Sequence, residues 1–117
     1  MATYSKLVLS GSTNGKLVKV TGAVSSDAVT IHTAVSGTSD FDEIWLYANC
    51  THTTDVNLTI LWGGSTTDDE ITMAIPNGSG LYQIVPGNPL QNGAVVTAYA
   101  GVANVVYISG FVNRVVA

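Results

Sequence analysis

The chain has 117 residues, a length that suits one domain whose own core closes it without disulfides or metal. Hydrophobic residues make up 46% of it and charged residues 10%, against about 25% charged in an average soluble domain, a balance that excludes disorder. A net charge of -4 with only four basic side chains leaves no basic stripe for phosphate, so nucleic acid is not an expected partner. No apolar run approaches the roughly 20 residues of a membrane-spanning helix, and no membrane association is expected. Met1 to Ser10 lacks the basic start and long apolar stretch of a secretory signal. Cys50 stands alone, which rules out an intrachain disulfide and suits a reducing compartment.

Along the chain the apolar residues alternate or form short blocks bounded by Gly, Asn, Pro and Ser, the pattern of strands; no helix is predicted. Lys6–Leu9 and Leu17–Val20 are expected to pair around Ser12-Thr13-Asn14-Gly15, where Asn and Gly tolerate positive φ. Val29–Val35 reads as a strand with Val29, Ile31 and Thr33 on one face and Thr30, His32 and Ala34 on the other. Phe41–Asn49 carries the strongest alternation: Ile44, Leu46 and Ala48 inward, Trp45, Tyr47 and Asn49 half exposed. Val56–Trp62 alternates again, a polar loop Gly63–Asp69 follows, and Ile71, Met73 and Ile75 share a face. After Pro76-Asn77-Gly78-Ser79-Gly80 come a strand at Leu81–Val85, a loop at Pro86–Gly93, and strands at Ala94–Ala100 and Asn104–Val112.

About eight short strands at such spacing predict an all-β fold, a single antiparallel β-sandwich spanning residues 1–117. Spacing leaves a jelly roll and an immunoglobulin-like topology both open, although the cysteine pair and core Trp pattern of true immunoglobulin domains are missing.

Charge is unevenly placed. Lys6, Lys16 and Lys19 lie near the start, all eight acids fall between Asp27 and Glu70, and Ile71 to Asn113 carries no charged side chain. That neutral stretch reads as core strands with neutral turns, and equally as surface held against other subunits, since charge is depleted at interface centres. The C-terminal half is therefore expected to supply the core and much of the subunit contact. The acids before it are expected to face solvent or a basic partner.

Few constellations suggest chemistry. Cys50, His52 and Asp55 are close in sequence, but zinc wants three or four ligands and the only other histidine is His32, so a polar turn is the simpler reading. Asp68, Asp69 and Glu70 lack the alternating spacing of a calcium loop and read as a solvated loop tip. No nucleophile elbow or phosphate-binding glycine loop occurs, so neither catalysis nor a cofactor is expected. Asn49-Cys50-Thr51, Asn57-Leu58-Thr59 and Asn77-Gly78-Ser79 match the glycosylation pattern as an Asn- and Thr-rich chain does by chance.

Surface chemistry remains. Trp45, Tyr47, Tyr82 and Tyr99 (with Tyr107) are amphipathic aromatics of the kind enriched at interface hot spots, each with a core role as its simpler reading. Arg114, which ends the neutral stretch, is a further interface candidate, because its guanidinium binds a carboxylate or backbone carbonyls of a neighbour in bidentate fashion.

Thr33-Ala34-Val35-Ser36-Gly37-Thr38 and Phe41-Asp42-Glu43-Ile44-Trp45-Leu46-Tyr47-Ala48, then Val56 to Gly64, form a recognisable run. So do Ile84-Val85-Pro86-Gly87, Leu90-Gln91-Asn92-Gly93 and Ile108-Ser109-Gly110-Phe111-Val112-Asn113-Arg114. Over most of its length the chain thereby resembles the small β-sandwich decoration (cement) proteins of tailed-bacteriophage capsids. The resemblance implies a virion protein on the outer capsid surface, assembled in the host cytoplasm, with the major capsid protein and itself, as a homotrimer, for partners. It implies no catalytic residue and no cofactor. A carbohydrate- or receptor-binding module of a phage fibre or tail is the alternative, with exposed aromatics stacking on sugars.

Overall fold

A computed structural model describes residues 2–117, and strands account for most of them. In chain order they are β1 (Thr3–Val8), β2 (Val18–Lys19), β3 (Val29–Thr33), β4 (Phe41–Cys50), β5 (Val56–Trp62), β6 (Glu70–Ile75), β7 (Tyr82–Leu90), β8 (Val95–Ala100) and β9 (Val106–Val116). Two short 3-10 turns, Ser25–Asp27 and Thr67–Asp69, precede β3 and β6.

The strands form two antiparallel sheets that pack as a sandwich. Sheet A has the order β1-β9-β4-β7, with β2 continuing the β1 side of β9, and sheet B has the order β3-β8-β5-β6. β2 pairs with β9, β3 with β8, β4 with β7 and β5 with β6, so the chain is one long hairpin rolled over on itself. That nesting is the jelly roll. An immunoglobulin-like order would keep the last two strands in one sheet, whereas here β8 and β9 lie in opposite sheets.

Alternation decides which faces meet. Along β4 every second residue from Asp42 to Cys50 is buried while Phe41, Glu43, Trp45, Tyr47 and Asn49 are half-buried. Sheet A contributes Ile44, Leu46, Ala48, Val85, Ile108 and Val112 to the core. Sheet B contributes Ile31, Leu58, Ile60, Ile75, Val96 and Ala98. Ile71 and Met73 pack against the same cluster as Ile75, as their shared face predicts. Each fully buried Leu, Ile or Val contributes about 1.5–3 kcal/mol relative to exposure, so this cluster is the main driving force of folding. It draws on both halves of the chain; the neutral C-terminal half does not supply it alone, because nesting pairs early strands with late ones.

Several local expectations are corrected. β1 and β2 do not form a hairpin with each other: both lie against β9, β1 at Phe111–Val116 and β2 at Tyr107–Ile108. Asn14 does take a positive φ of 56°, in a wide connection rather than a tight hairpin turn. Pro86 to Leu90 is strand, not loop. Prolines are tolerated there because β7 is a sheet edge and its register against β4 shifts twice. On β3 the register shifts between Thr30 and His32, so Ile31 and His32 are both buried instead of lying on opposite faces. On β5, Leu61 is buried along with Val56, Leu58 and Ile60, and the 3-10 turn Thr67–Asp69 lies against that strand.

The largest departure concerns charge. Asp42 is fully buried, on the inward side of β4, rather than facing solvent. Arg114 on β9 donates to it twice, Nε to Oδ1 at 2.8 Å and Nη2 to Oδ2 at 3.1 Å. His32 Nε2 lies 2.7 Å from Oδ2, and the Val35 backbone N–H donates to the same oxygen at 3.2 Å. His32 Nδ1 accepts the Ser10 backbone N–H at 3.0 Å, which leaves the ring proton on Nε2, where it is given to Asp42. One carboxylate thereby ties β3 of sheet B to β4 and β9 of sheet A, and His32 extends the tie to the β1–β2 connection.

Burial pushes the Asp42 carboxyl up, but the hydrogen bonds from Arg114 and His32, and the Arg114 charge, outweigh it and hold the group below the ordinary aspartate range. A carboxylate whose pKa is lowered by folding stabilises the fold above its unfolded-state pKa. That contribution is lost as pH falls through the folded value. Asp42→Ala is expected to cost about 3–5 kcal/mol in urea unfolding, because it leaves Arg114 and His32 without their acceptor. Asp42→Asn is expected to flatten the acid limb of the stability–pH curve, measured as the urea midpoint from pH 7 down to pH 2.

Candidate functional site

The outer face of sheet A gathers most of the aromatic surface. Reading across the sheet from β1 to β4, the outward rows are Tyr4–Val115–Phe41, Lys6–Asn113–Glu43 and Val8–Phe111–Trp45. Ser109–Tyr47 and Lys19–Tyr107–Asn49 complete it. Six of the nine aromatic residues, Tyr4, Phe41, Trp45, Tyr47, Tyr107 and Phe111, stand on this face. Its charged groups are Lys6, Lys19 and Glu43, and both lysines lie over rings: Lys6 Nζ is 4.3 Å from the Phe111 centroid and Lys19 Nζ is 5.9 Å from that of Tyr107. Such contacts contribute about 0.5–1 kcal/mol each at exposed sites, and they spread the lysine stems over the apolar surface.

Trp45 is the centre of the face. Its ring stacks on Phe111 with centroids 6.0 Å apart and planes 10° from parallel. Its flank lies on Gly87 of β7, where a Cβ would come within 2.7 Å of the indole. Gly87 also has a φ of +83°, so the bulged edge strand needs glycine there twice over. Gly110, on the neighbouring β9, lets the two central strands approach closely: a Cβ would meet the Trp45 carbonyl oxygen at 2.0 Å. The indole Nε1 is buried without a hydrogen-bond partner among the described residues.

The sequence candidates do not form one patch. Trp45 and Tyr47 lie together, one row apart, on the outer face of sheet A. Tyr82 is exposed (42%) at the start of β7. Tyr99 stands half-buried on the opposite surface, the outer face of sheet B beside Thr59. Arg114 points inward to Asp42 with its side chain 30% exposed, so the carboxylate it binds is its own chain's and not a neighbour's. Sequence reasoning missed the role of Phe111, Phe41 and Tyr4. The outward parity of Phe41 and Phe111 follows from the alternation of β4 and β9; that Tyr4 shares their face becomes readable only once β1 is known to pair with β9.

In the other constellations Cys50, Asp55 and Asp69 have local partners. Cys50 is buried and its Sγ faces the Thr54 carbonyl at 3.8 Å, while Asp55 accepts the Asn77 backbone N–H at 3.2 Å. Asp69 closes a capping box with Thr66 at the 3-10 turn. Among the described residues no group of three His, Cys, Asp or Glu side chains is placed to hold a metal, and no helix is long and apolar enough to cross a membrane. Two shallow clefts occur at the strand ends. One of about 260 Å³ is lined by Phe41, Pro89, Leu90 and Gln91, and one of about 370 Å³ runs along Gly63–Ser65 and Gly93–Thr97. Neither is lined by an acid, a base or a thiol. The Ser10, His32 and Asp42 set is not a nucleophile arrangement either: the serine's backbone N–H, not its hydroxyl, faces the imidazole.

Gly87→Ala is expected to lower stability by about 1–3 kcal/mol, through the positive φ and the clash with a stacked ring. Tryptophan emission and the urea midpoint measure it, and the emission change should vanish in a Trp45→Phe background. In comparisons with known proteins, no family model, curated protein or solved structure matches the chain.

Proposed function

We propose that the chain is a non-enzymatic structural subunit that binds the outer surface of a tailed-bacteriophage capsid, self-associating as it does so, and stabilises the shell by bridging copies of the major capsid protein. The observation that carries a binding role is the outer face of sheet A, a broad aromatic surface with three charged side chains on a rigid sandwich. Broad surfaces of this kind suit a protein partner, since interface cores are enriched in Trp, Tyr and Phe and depleted in charge. The capsid as partner, the trimer and the virion location come from the sequence resemblance. A jelly roll whose core charges are paired inside the fold loses little further conformational freedom on docking, which favours affinity.

A second reading, a carbohydrate-binding module, is favoured by the flat Trp45–Phe111 stack, because aromatic faces also receive sugar rings. The two readings separate in one design. Purified protein added to undecorated capsids is expected to bind stoichiometrically and to raise their disruption temperature, with Trp45→Ala and Tyr47→Ala weakening both effects about tenfold or more. Failure to bind at micromolar concentration contradicts the capsid reading. Retention on a glycan array that the same two substitutions abolish would establish the other.

A further inference from the structure

A β-sandwich has four lateral edges, and each presents unpaired backbone groups that invite another strand unless something blunts it. Two edges of this molecule are closed. On β7 the edge carries Pro86 and Pro89, and two register shifts break its line. On β3 the edge is covered by the β1–β2 connection: the Gly11 N–H donates to the Ile31 carbonyl at 2.9 Å and Ser10 Oγ accepts the Thr33 N–H at 2.8 Å.

The other two are open. β1 pairs with β9 in unbroken register through Thr3–Val8 and, among the described residues, has no partner on its far side. All six of its residues are exposed, including Tyr4 (72%), Val8 (54%) and Leu7 (36%). Its single charge, Lys6, lies over Phe111. β6 pairs with β5 through Glu70, Ile71, Thr72, Met73, Ala74 and Ile75 without a shift, the Glu70–Leu61 pair closing the ladder, and among the described residues it too lacks a second partner. Neither strand contains a proline or a bulge.

These two edges cannot satisfy each other within one chain. β1 flanks sheet A on the side of β3, where the residues that follow it bond to that strand. β6 flanks sheet B at the opposite end of the strand order from β3. They are also opposite in charge. Lys6, Lys16 and Lys19 lie along the β1–β2 edge, with Gly15 packed against Val8. Asp68 and Glu70 are exposed at the entrance to β6. Among the described residues, none of these five groups forms an ion pair within the chain.

We infer that the β1 edge of one copy pairs with the β6 edge of the next, a head-to-tail strand addition steered by the basic and acidic ends. The occupant is a second copy of this chain, because the complementary edge and the complementary charge are both on its own surface. Such a contact is heterologous and propagates into a closed ring or, where the rotation does not close, an open fibre. The apolar side chains that β1 leaves in water, Tyr4, Leu7 and Val8, are covered when it closes. This deepens the self-association in the proposed function, yet it rests on edge geometry and is read on the isolated protein. Its failure therefore leaves capsid binding untouched, and failure of capsid binding leaves it standing.

Sedimentation velocity over a concentration series, at low and high salt, tests it with charge reversals on exposed side chains. The wild-type chain is expected to assemble, and Lys6→Glu and Glu70→Lys are each expected to raise its dissociation constant about tenfold or more at low salt. The double variant, with both charges exchanged, should recover most of the loss, and an equimolar mixture of the two single variants should assemble better than either alone. Lys16→Glu serves in place of Lys6→Glu if loss of the Phe111 contact lowers the melting temperature. A wild-type chain that stays monomeric into the millimolar range overturns the inference. So does sensitivity to Lys6→Glu with indifference to Glu70→Lys, which would mark a symmetric β1–β1 contact, and so does a double variant no better than the singles.

Discussion

The buried carboxylate of Asp42 is the point on which the two sheets are fixed relative to each other. Apolar packing alone holds a sandwich together but is tolerant of small slides, since many hydrophobic arrangements have similar energy. An ionised carboxylate inside that core has no such tolerance: it needs its donors in place. Here the donors come from β3, from Val35 and from β9, so the sheets meet in the one offset that satisfies them. The tie extends through His32 to Ser10, which closes the β3 edge and sets where the chain turns from β1 into the β1–β2 connection.

That arrangement separates an interior where polar groups are committed from an exterior where strands and aromatics are not. Asp42 and Arg114 occupy each other, and His32 is used at both ring nitrogens. The outside is different. Six aromatic residues share one sheet face, Trp45 is laid flat by Gly87 and Phe111, and among the described residues two strand edges lack partners. The fold keeps these extended surfaces in fixed relation to one another.

Much of this was legible in the sequence where alternation is strict. On β4, Ile44, Leu46 and Ala48 announced the inward face, and the same parity runs back to Asp42, so the buried acid carried a signal: a charge on an otherwise apolar side of a strand. Arg114 stands at the matching parity of β9 after Ile108 and Val112, and the pair is readable once those strands are known to be neighbours. His32 was not readable, because the register shift on β3 buries two consecutive residues and defeats a period of two. The prolines of β7 concealed a strand since only its edge position makes them acceptable, and edge position is a property of the whole topology. The nesting that selects a jelly roll, and that sends β1 and β2 to β9 instead of to each other, is likewise set by long-range pairing and leaves no local mark.

Amide hydrogen exchange on the isolated protein, at low and at high concentration, reads the committed interior and the open edges in one experiment. The amides of Ser10, Thr33 and Val35, though near strand ends, should exchange as slowly as those of the core strands at both concentrations, because the Asp42 and Ser10 contacts hold them. The outward amides of β1 and β6 should exchange freely when dilute and become protected together when concentrated. Loop-like exchange at Thr33 and Val35, or β1 amides already as slow as those of β4 in dilute solution, would contradict the division between a fixed interior and an unfinished exterior.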